Sequence, residues 1–249
     1  MSNSFKNKTA VITGGNSGIG YAAAKEFKER GATVIITGRR KDALGKAAEE
    51  LGVHRVLADQ GSLADIDKLA ATVKAQYNKV DFLFINAGMT GGVFPIEYGT
   101  VANFEEVMNV NARGPYFTLS KFIPLLNDGA SVVFLSSIAT QVSAPLFSVY
   151  SASKAALNAI AKTAALELAA RKIRVNIVSP GPTNTNLMTR AGVDPELQHK
   201  IYEGIMAKSP LGRKGEPEEI AKTVVHLCED SSAYITGAEI VIDGGMALS

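Results

Sequence analysis

The sequence predicts a single-domain α/β fold, a doubly wound parallel sheet of seven strands with helices on both faces. Three observations predict it. Short apolar runs alternate with longer stretches of helical periodicity, the pattern of strands joined by crossover helices. A glycine-rich turn separates the first apolar run from the first helical stretch. Residues suited to chemistry, Gly14, Arg39, Asp59, Asn86, Ser137 and Pro180, each follow one of the first six runs. Right-handed crossovers would carry all these strand ends to one edge, where ligands collect at the point of strand-order reversal.

Strands are expected near residues 8–13, 33–37, 53–58, 80–85, 131–136, 173–178 and 239–242. The first runs through TAVITGGNSGIG into the helical pattern AAAKEFKERG. Gly14, Gly18 and Gly20, with Gly15 as a spare and Thr13, Asn16, Ser17 and Ile19 between and beside them, would let the backbone approach a pyrophosphate at a helix start. The spacing TGxxxGxG has a longer first interval than the GxGxxG fingerprint, so a plain glycine turn stays open on this segment alone. After the second strand, VIITGRR places Gly38 where an acidic residue would bind a ribose hydroxyl. Arg39 and Arg40 follow, and guanidinium groups suit a 2′-phosphate, which favours NADP(H) over NAD(H). The alternative is a solvated pair at a helix entry.

Asp59, after the third strand, could equally cap a helix. Asn86-Ala87-Gly88 ends the fourth, where small residues admit a ligand and the amide can tie neighbouring strands. Asn111 lies in NVNARG on a helical segment, where a kink or a cap is the plain alternative. The fifth strand, SVVFLSS, ends at Ser137, and 13 residues later comes YSASK. Tyr150 and Lys154, four apart, share a helix face, where the cation can lower the phenol pKa. Ser137 could hydrogen-bond a carbonyl oxygen and stabilise charge developing there, making a proton donor aimed at a ketone or alcohol. A tyrosine that packs and a lysine that reaches water is the bland alternative for YSASK alone. Its SxxK substring lacks the SDN and KTG that an acyl-transfer enzyme would add. After strand six, Pro180 and Gly181 make a turn into a lid expected over 183–209.

Taken together, these residues resemble the short-chain dehydrogenase/reductase family over essentially the whole chain. The resemblance rests on Thr13 to Gly20, Asp59, Asn86-Ala87-Gly88, Asn111, Ser137, Tyr150, Lys154, SPGPTNT from Ser179, and TGAEIVIDGG. It implies a Rossmann-type fold and an NAD(P)-dependent oxidoreductase with Asn111, Ser137, Tyr150 and Lys154 as its catalytic set. It further implies that Asp59 accepts from the adenine amino group, that Lys154 bonds the nicotinamide ribose, and that Asn111 holds a water linking Lys154 to solvent. Ile177, Pro180, Gly181, Thr183 and Thr185 would line the nicotinamide. The helices of NARGPYFTLSKFIPLLN and SASKAALNAIAKTAALELAA would form the main dimer contact, with the C-terminal segment completing a homotetramer.

Composition narrows the partners. The 249 residues, 46% of them hydrophobic, suffice for one large core. A net charge of +2 without basic clustering argues against nucleic acid, and no apolar stretch is long enough to cross a bilayer. The lone Cys228 and a start without a signal-peptide apolar core point to the cytoplasm. His54, His199 and His226 lack metal-ligand spacing, so no metal is expected.

The segments 89–94, 138–147 and 183–209 are mostly apolar or small, which favours an uncharged ketone of small to medium size. A 3-oxoacyl thioester on a carrier protein is the enzymatic alternative, with Arg171, Lys172 and Arg174 meeting an acidic carrier. A dinucleotide-binding sensor without turnover is the non-enzymatic one.

Overall fold

The computed structural model describes residues 4–190, 192–206 and 209–248. Seven parallel strands lie in the order β3-β2-β1-β4-β5-β6-β7. They are β1 (Thr9–Ile12), β2 (Thr33–Gly38), β3 (His54–Leu57), β4 (Val80–Ile85), β5 (Leu126–Leu135), β6 (Arg174–Pro180) and β7 (Glu239–Ile242). The order reverses between β1 and β4, so the ligand crevice belongs at their C-terminal ends.

All six residues of β4, VDFLFI, are buried because helices cover both faces of the sheet. Ile12, Ile36 and Phe84 face one layer, with α1 (Gly18–Glu29), α2 (Lys41–Leu51) and α9 (Pro217–His226). Val11, Ile35 and Leu83 face the other, with α3 (Leu63–Tyr77), α5 (Gly114–Phe122) and α6 (Ser148–Glu167). The period-2 alternation of neighbouring residues between two cores is what fixes strand register here.

Two boundaries differ from expectation by more than one residue. β5 begins at Leu126 rather than near 131, because Leu126 pairs with Val80 before a register shift, and Asn127 donates to the buried Asp81 carboxylate at 3.0 Å. The polar NDG stretch that reads as a turn in sequence is thus recruited into the strand by β4. β6 runs on to Pro180, which pairs with Ile242 of the last strand.

Residues 101–122 form a bent helical rod, α4 (Val101–Met108), a π turn over Asn109–Arg113, and α5. Close approach explains Gly114, since a Cβ there would sit 2.0 Å from the Gln60 carbonyl oxygen. Over the C-terminal edge lie α7 (Leu187–Arg190) and α8 (Pro195–Met206), within the expected lid segment; residues 191, 207 and 208 of that segment lie outside the described residues.

Candidate active site

The strand ends enclose a cavity of about 1020 Å³. That reaches the upper end of the roughly 300–1,000 Å³ typical of small-molecule pockets, room for a dinucleotide and a second small molecule. Its floor is the glycine loop: Gly14, Asn16, Ser17, Gly18 and Ile19 line it, as do Arg39, Arg40 and Asp59 beyond β2 and β3. Asn86, Ala87 and Gly88 follow β4, Ser137 follows β5, Tyr150 and Lys154 project from α6, and Pro180, Gly181, Thr183 and Thr185 follow β6. Seven separate sequence segments therefore meet in one crevice.

The floor has the shape that a pyrophosphate needs. Gly14 and Gly18 have φ of +67° and +54°, a region open to glycine at little cost. The positive-φ turn leads directly into α1, whose first backbone N–H groups have no partners within the helix and favour an anion. Arg39 and Arg40 are exposed at the rim, Arg40 as the N-cap of α2. The Asp59 carboxylate accepts from Gly61 N at 2.9 Å, while the cap of α3 is Ser62, accepting from Asp65 N. Capping is thus done by another residue, and Asp59 remains a cavity residue. The residues fit a dinucleotide.

Four of the expected contact residues, Thr13, Gly20, Ile177 and Asn111, do not line the cavity. Thr13 is fully buried beneath the loop, its hydroxyl accepting from Asn86 N at 2.9 Å and Ala87 N at 3.0 Å. Its hydroxyl fastens β1 to the end of β4. Gly20 is also outside the cavity wall: a Cβ there would lie 2.4 Å from Gly14 O and 2.5 Å from Asn86 Nδ2, so its role is to let α1 pack on the turn. Ile177 is fully buried in the core and lines nothing. Asn111 is also fully buried, away from the cavity surface. Gly15 is no spare, because a Cβ would lie 2.5 Å from the Ile36 side chain.

Asn111 nevertheless shapes the site. The π turn aims its side chain at the β4 loop, where Oδ1 accepts from Met89 N at 2.9 Å and Nδ2 donates to Met89 O at 2.7 Å. Nδ2 also donates to Ser153 Oγ at 3.0 Å, and Ser153 donates in turn to Tyr150 O at 2.7 Å. Both amide hydrogens are therefore committed to protein, and the Asn111 side chain is a positioning group for the Tyr150 turn. Gly88 leaves the room for it: a Cβ would lie 3.2 Å from Asn111 Oδ1 and 3.3 Å from Lys154 Nζ. π turns inside helices recur at functional sites.

Lys154 is 4% exposed and donates to Leu135 O at 2.7 Å. Burial pulls its pKa from 10.5 down to about 8. Its Nζ lies 5.9 Å from the Tyr150 ring centroid. Burial raises the Tyr150 pKa, and the hydrogen bond from Ser137 opposes only part of that rise. The expectation that Lys154 lowers the phenol pKa is not met here, because desolvation disfavours both charged forms together. Such a pair keeps the phenol protonated at neutral pH, as a proton donor requires. The Phe147 ring meets Tyr150 edge-on at 6.4 Å.

Sequence reasoning missed several contributors. Ser153 is a buried polar residue three positions beyond Tyr150, a spacing that could have flagged it. Glu239 lies inside TGAEIVIDGG, a string that does not tell its partners: its Oε1 accepts from Ser179 Oγ at 2.7 Å, Asn158 Nδ2 at 3.0 Å and Gln141 Nε2 at 3.2 Å, tying β6, α6 and the turn after Ser137 to β7. The cationic segment near 171–174 is used inside the fold. Arg171 donates to Ile123 O and Leu126 O, and Arg174 to Leu227 O, so both guanidiniums are committed to backbone carbonyls. Among the described residues, no group of three His, Cys, Asp or Glu could hold a metal, and no helix is long and apolar enough to cross a membrane.

Comparison with known proteins agrees with this geometry. The family model described as enoyl-(acyl carrier protein) reductase matches residues 14–247. Oxidoreductase asL5 of Sarocladium schorii is 38% identical over 245 residues, covering 96% of each chain. The NADP-dependent (R)-specific alcohol dehydrogenase of Lentilactobacillus kefiri is 35% identical over 254 residues, covering 98% of each. A solved short-chain dehydrogenase/reductase, described as a glucose/ribitol dehydrogenase from Brucella melitensis, superposes with a TM-score of 0.91 at 31% identity, covering 99% of each chain. The chain thus has full-length counterparts in sequence and in structure, and it belongs to the short-chain dehydrogenase/reductase family of oxidoreductases.

Proposed function

We propose that the protein is an NADP(H)-dependent reductase that interconverts an uncharged ketone and a secondary alcohol. The observation that carries the reading is the meeting of Ser137, Tyr150 and Lys154 with the glycine loop in one cavity. Gly14 to Ile19 and Thr183 to Thr185 would hold the dinucleotide, with Arg39 and Arg40 at its 2′-phosphate and Asp59 at its adenine. When bound, NADP(H) supplies or accepts the hydride. Ser137 then holds the substrate oxygen, and Tyr150 donates its phenolic proton to that oxygen in reduction and takes it back in oxidation. Lys154 stabilises the phenolate left behind, and Asn111 with Ser153 holds the Tyr150 turn in place.

Phe147 meets the phenol ring, and the cavity wall also includes Met89, Ile138, Val142, Leu146 and Leu187, apolar groups that favour a ketone with alkyl or aryl substituents over a sugar phosphate. A carrier-bound 3-oxoacyl thioester is the second reading, favoured by the acyl-carrier wording of the matching family description. Arg171 and Arg174 are engaged with backbone carbonyls, which leaves the exposed Lys172 as the cation of the segment that this reading would use.

NADPH oxidation measured with a panel of ketones and 3-oxoacyl thioesters tests the proposal. Turnover of alkyl or aryl ketones supports it; turnover of thioesters alone would shift the assignment to the second reading. Cofactor binding without any turnover would leave a sensor.

Exposed apolar residues on α4, α5 and α6, Val101 at 74%, Tyr116 at 52% and Leu166 at 81%, support assembly through these helices into a homotetramer. Light scattering at micromolar concentration checks this, and a monomer would contradict it. A cytoplasmic location follows from the same reading and is checked by cell fractionation.

A further inference from the structure

Leu146 holds a backbone conformation that leucine rarely adopts, with φ of +75°. The other described non-glycine residues with positive φ are Asn7, Asn78 and Lys172. Asparagine tolerates this region, and Lys172 ends a turn after α6 in an ordinary left-handed cap. A branched apolar side chain there is an outlier, and such conformations cluster where function holds them.

Core packing does not explain it. Leu146 belongs to neither of the two apolar cores and stays half-exposed. It lines the cavity instead, four residues before Tyr150. The next residue, Phe147, is the N-cap of α6; its carbonyl accepts from Ser151 N at 2.9 Å and its ring meets Tyr150. The left-handed turn therefore does two things at once: it starts the helix that carries the phenol, and it presents an isobutyl group to the space beside it. A glycine would make the same turn without strain, so the conformation alone does not require a side chain.

We infer that Leu146 is a specificity-determining residue that limits the bulk of one substituent on the substrate carbonyl. This inference rests on the ketone reading of the cavity. Filling or vacating the volume of a few methylenes in an apolar pocket alters discrimination by about tenfold or more.

Two variants test it. Leu146→Gly removes both side chain and strain, and Leu146→Ala removes the side chain while leaving the left-handed backbone with a Cβ. The ratio of kcat/KM for a ketone with a branched or aryl substituent to that for a small methyl ketone is expected to rise about tenfold in both variants. The melting temperature is expected to rise in Leu146→Gly and to stay below that value in Leu146→Ala. An unchanged ratio in both variants, with wild-type turnover of ketones intact, would overturn the assignment of Leu146 alone. A melting temperature lowered by Leu146→Gly would overturn the strain argument, since the side chain would then be stabilising the fold. Absence of ketone turnover in the wild type would instead overturn the reading on which the inference rests.

Discussion

The two halves of the cavity are built from different materials. The half beneath β1 to β3 is defined by what is missing from the backbone: Gly15 and Gly20 stand where a Cβ would come within 2.5 Å of a neighbouring atom, and Gly14 turns through positive φ. The half beneath β4 to β6 is defined by side chains fastened to one another, Asn111 to Met89 and Ser153, Lys154 to Leu135, Glu239 to three donors. A backbone cradle of this kind meets a ligand by shape, and its close approaches leave no room for a side chain. A reaction is carried out by groups whose protonation and aim must be set by burial and hydrogen bonds.

That contrast predicts where changes act, and the largest effect falls on the side-chain half. Tyr150→Phe should lower kcat by about three orders of magnitude while NADPH binding, followed by fluorescence titration, stays close to wild type. Loss of binding would mean that the phenol belongs to the cofactor half. Gly20→Ala breaks the other half in the opposite way. It should lower stability by about 1–3 kcal/mol in urea denaturation and weaken NADPH binding, because the methyl displaces the Gly14 turn that the helix packs on.

Asn111→Ala leaves the part-buried Met89 amide and carbonyl without their partner, at a cost of about 1–3 kcal/mol. Its kcat should fall more than its KM for NADPH rises, which separates aim from binding. A smaller effect is expected at the rim. Arg39→Ala with Arg40→Ala should reduce the preference for NADPH over NADH, measured as the ratio of the two kcat/KM values, by about tenfold. Equal losses with both cofactors would place those arginines outside the 2′-phosphate site.

The smallest effect sharpens the electrostatic side of the comparison. Burial holds Lys154 at about 8, below its ordinary 10.5, so between these values the folded chain has shed a proton that the unfolded chain keeps. Stability contributed by this residue therefore rises with pH from about 8 to 10.5. The unfolding free energy of wild type minus that of Lys154→Met should increase over that window in urea titrations. Taking the difference cancels the opposite slope from Cys228, whose thiol burial pushes from 9.0 up to about 12.

Legibility in the sequence follows the same division. The strands, their common edge and the glycine loop could be read because each rests on a local pattern of apolar period or glycine spacing. Thr13 and Gly20 were assigned to the cofactor for that reason, yet their roles depend on Asn86, some seventy residues away in sequence and adjacent only through the β1–β4 pairing. The start of β5 was hidden because its polar first turn is held by Asp81 on β4. Tyr150, Lys154 and Ser137 were recognisable by spacing, but not the direction of their pKa shifts, since the degree of burial is a property of the folded cavity. Ser153 lies inside YSASK and Glu239 inside TGAEIVIDGG, but neither string tells which distant groups they meet, and Leu146 lies in no motif. Their contribution lies in contacts across the fold or, for Leu146, in one dihedral angle.

The central claim is that the two halves act on one substrate in one cavity. Reduction of an aryl ketone with NADPH bearing deuterium at the transferring position of the nicotinamide, followed by mass spectrometry of the alcohol, tests it directly. The account predicts one deuterium on the carbinol carbon, retained in deuterium-free water. A product alcohol without the label, or no alcohol at all, would contradict it.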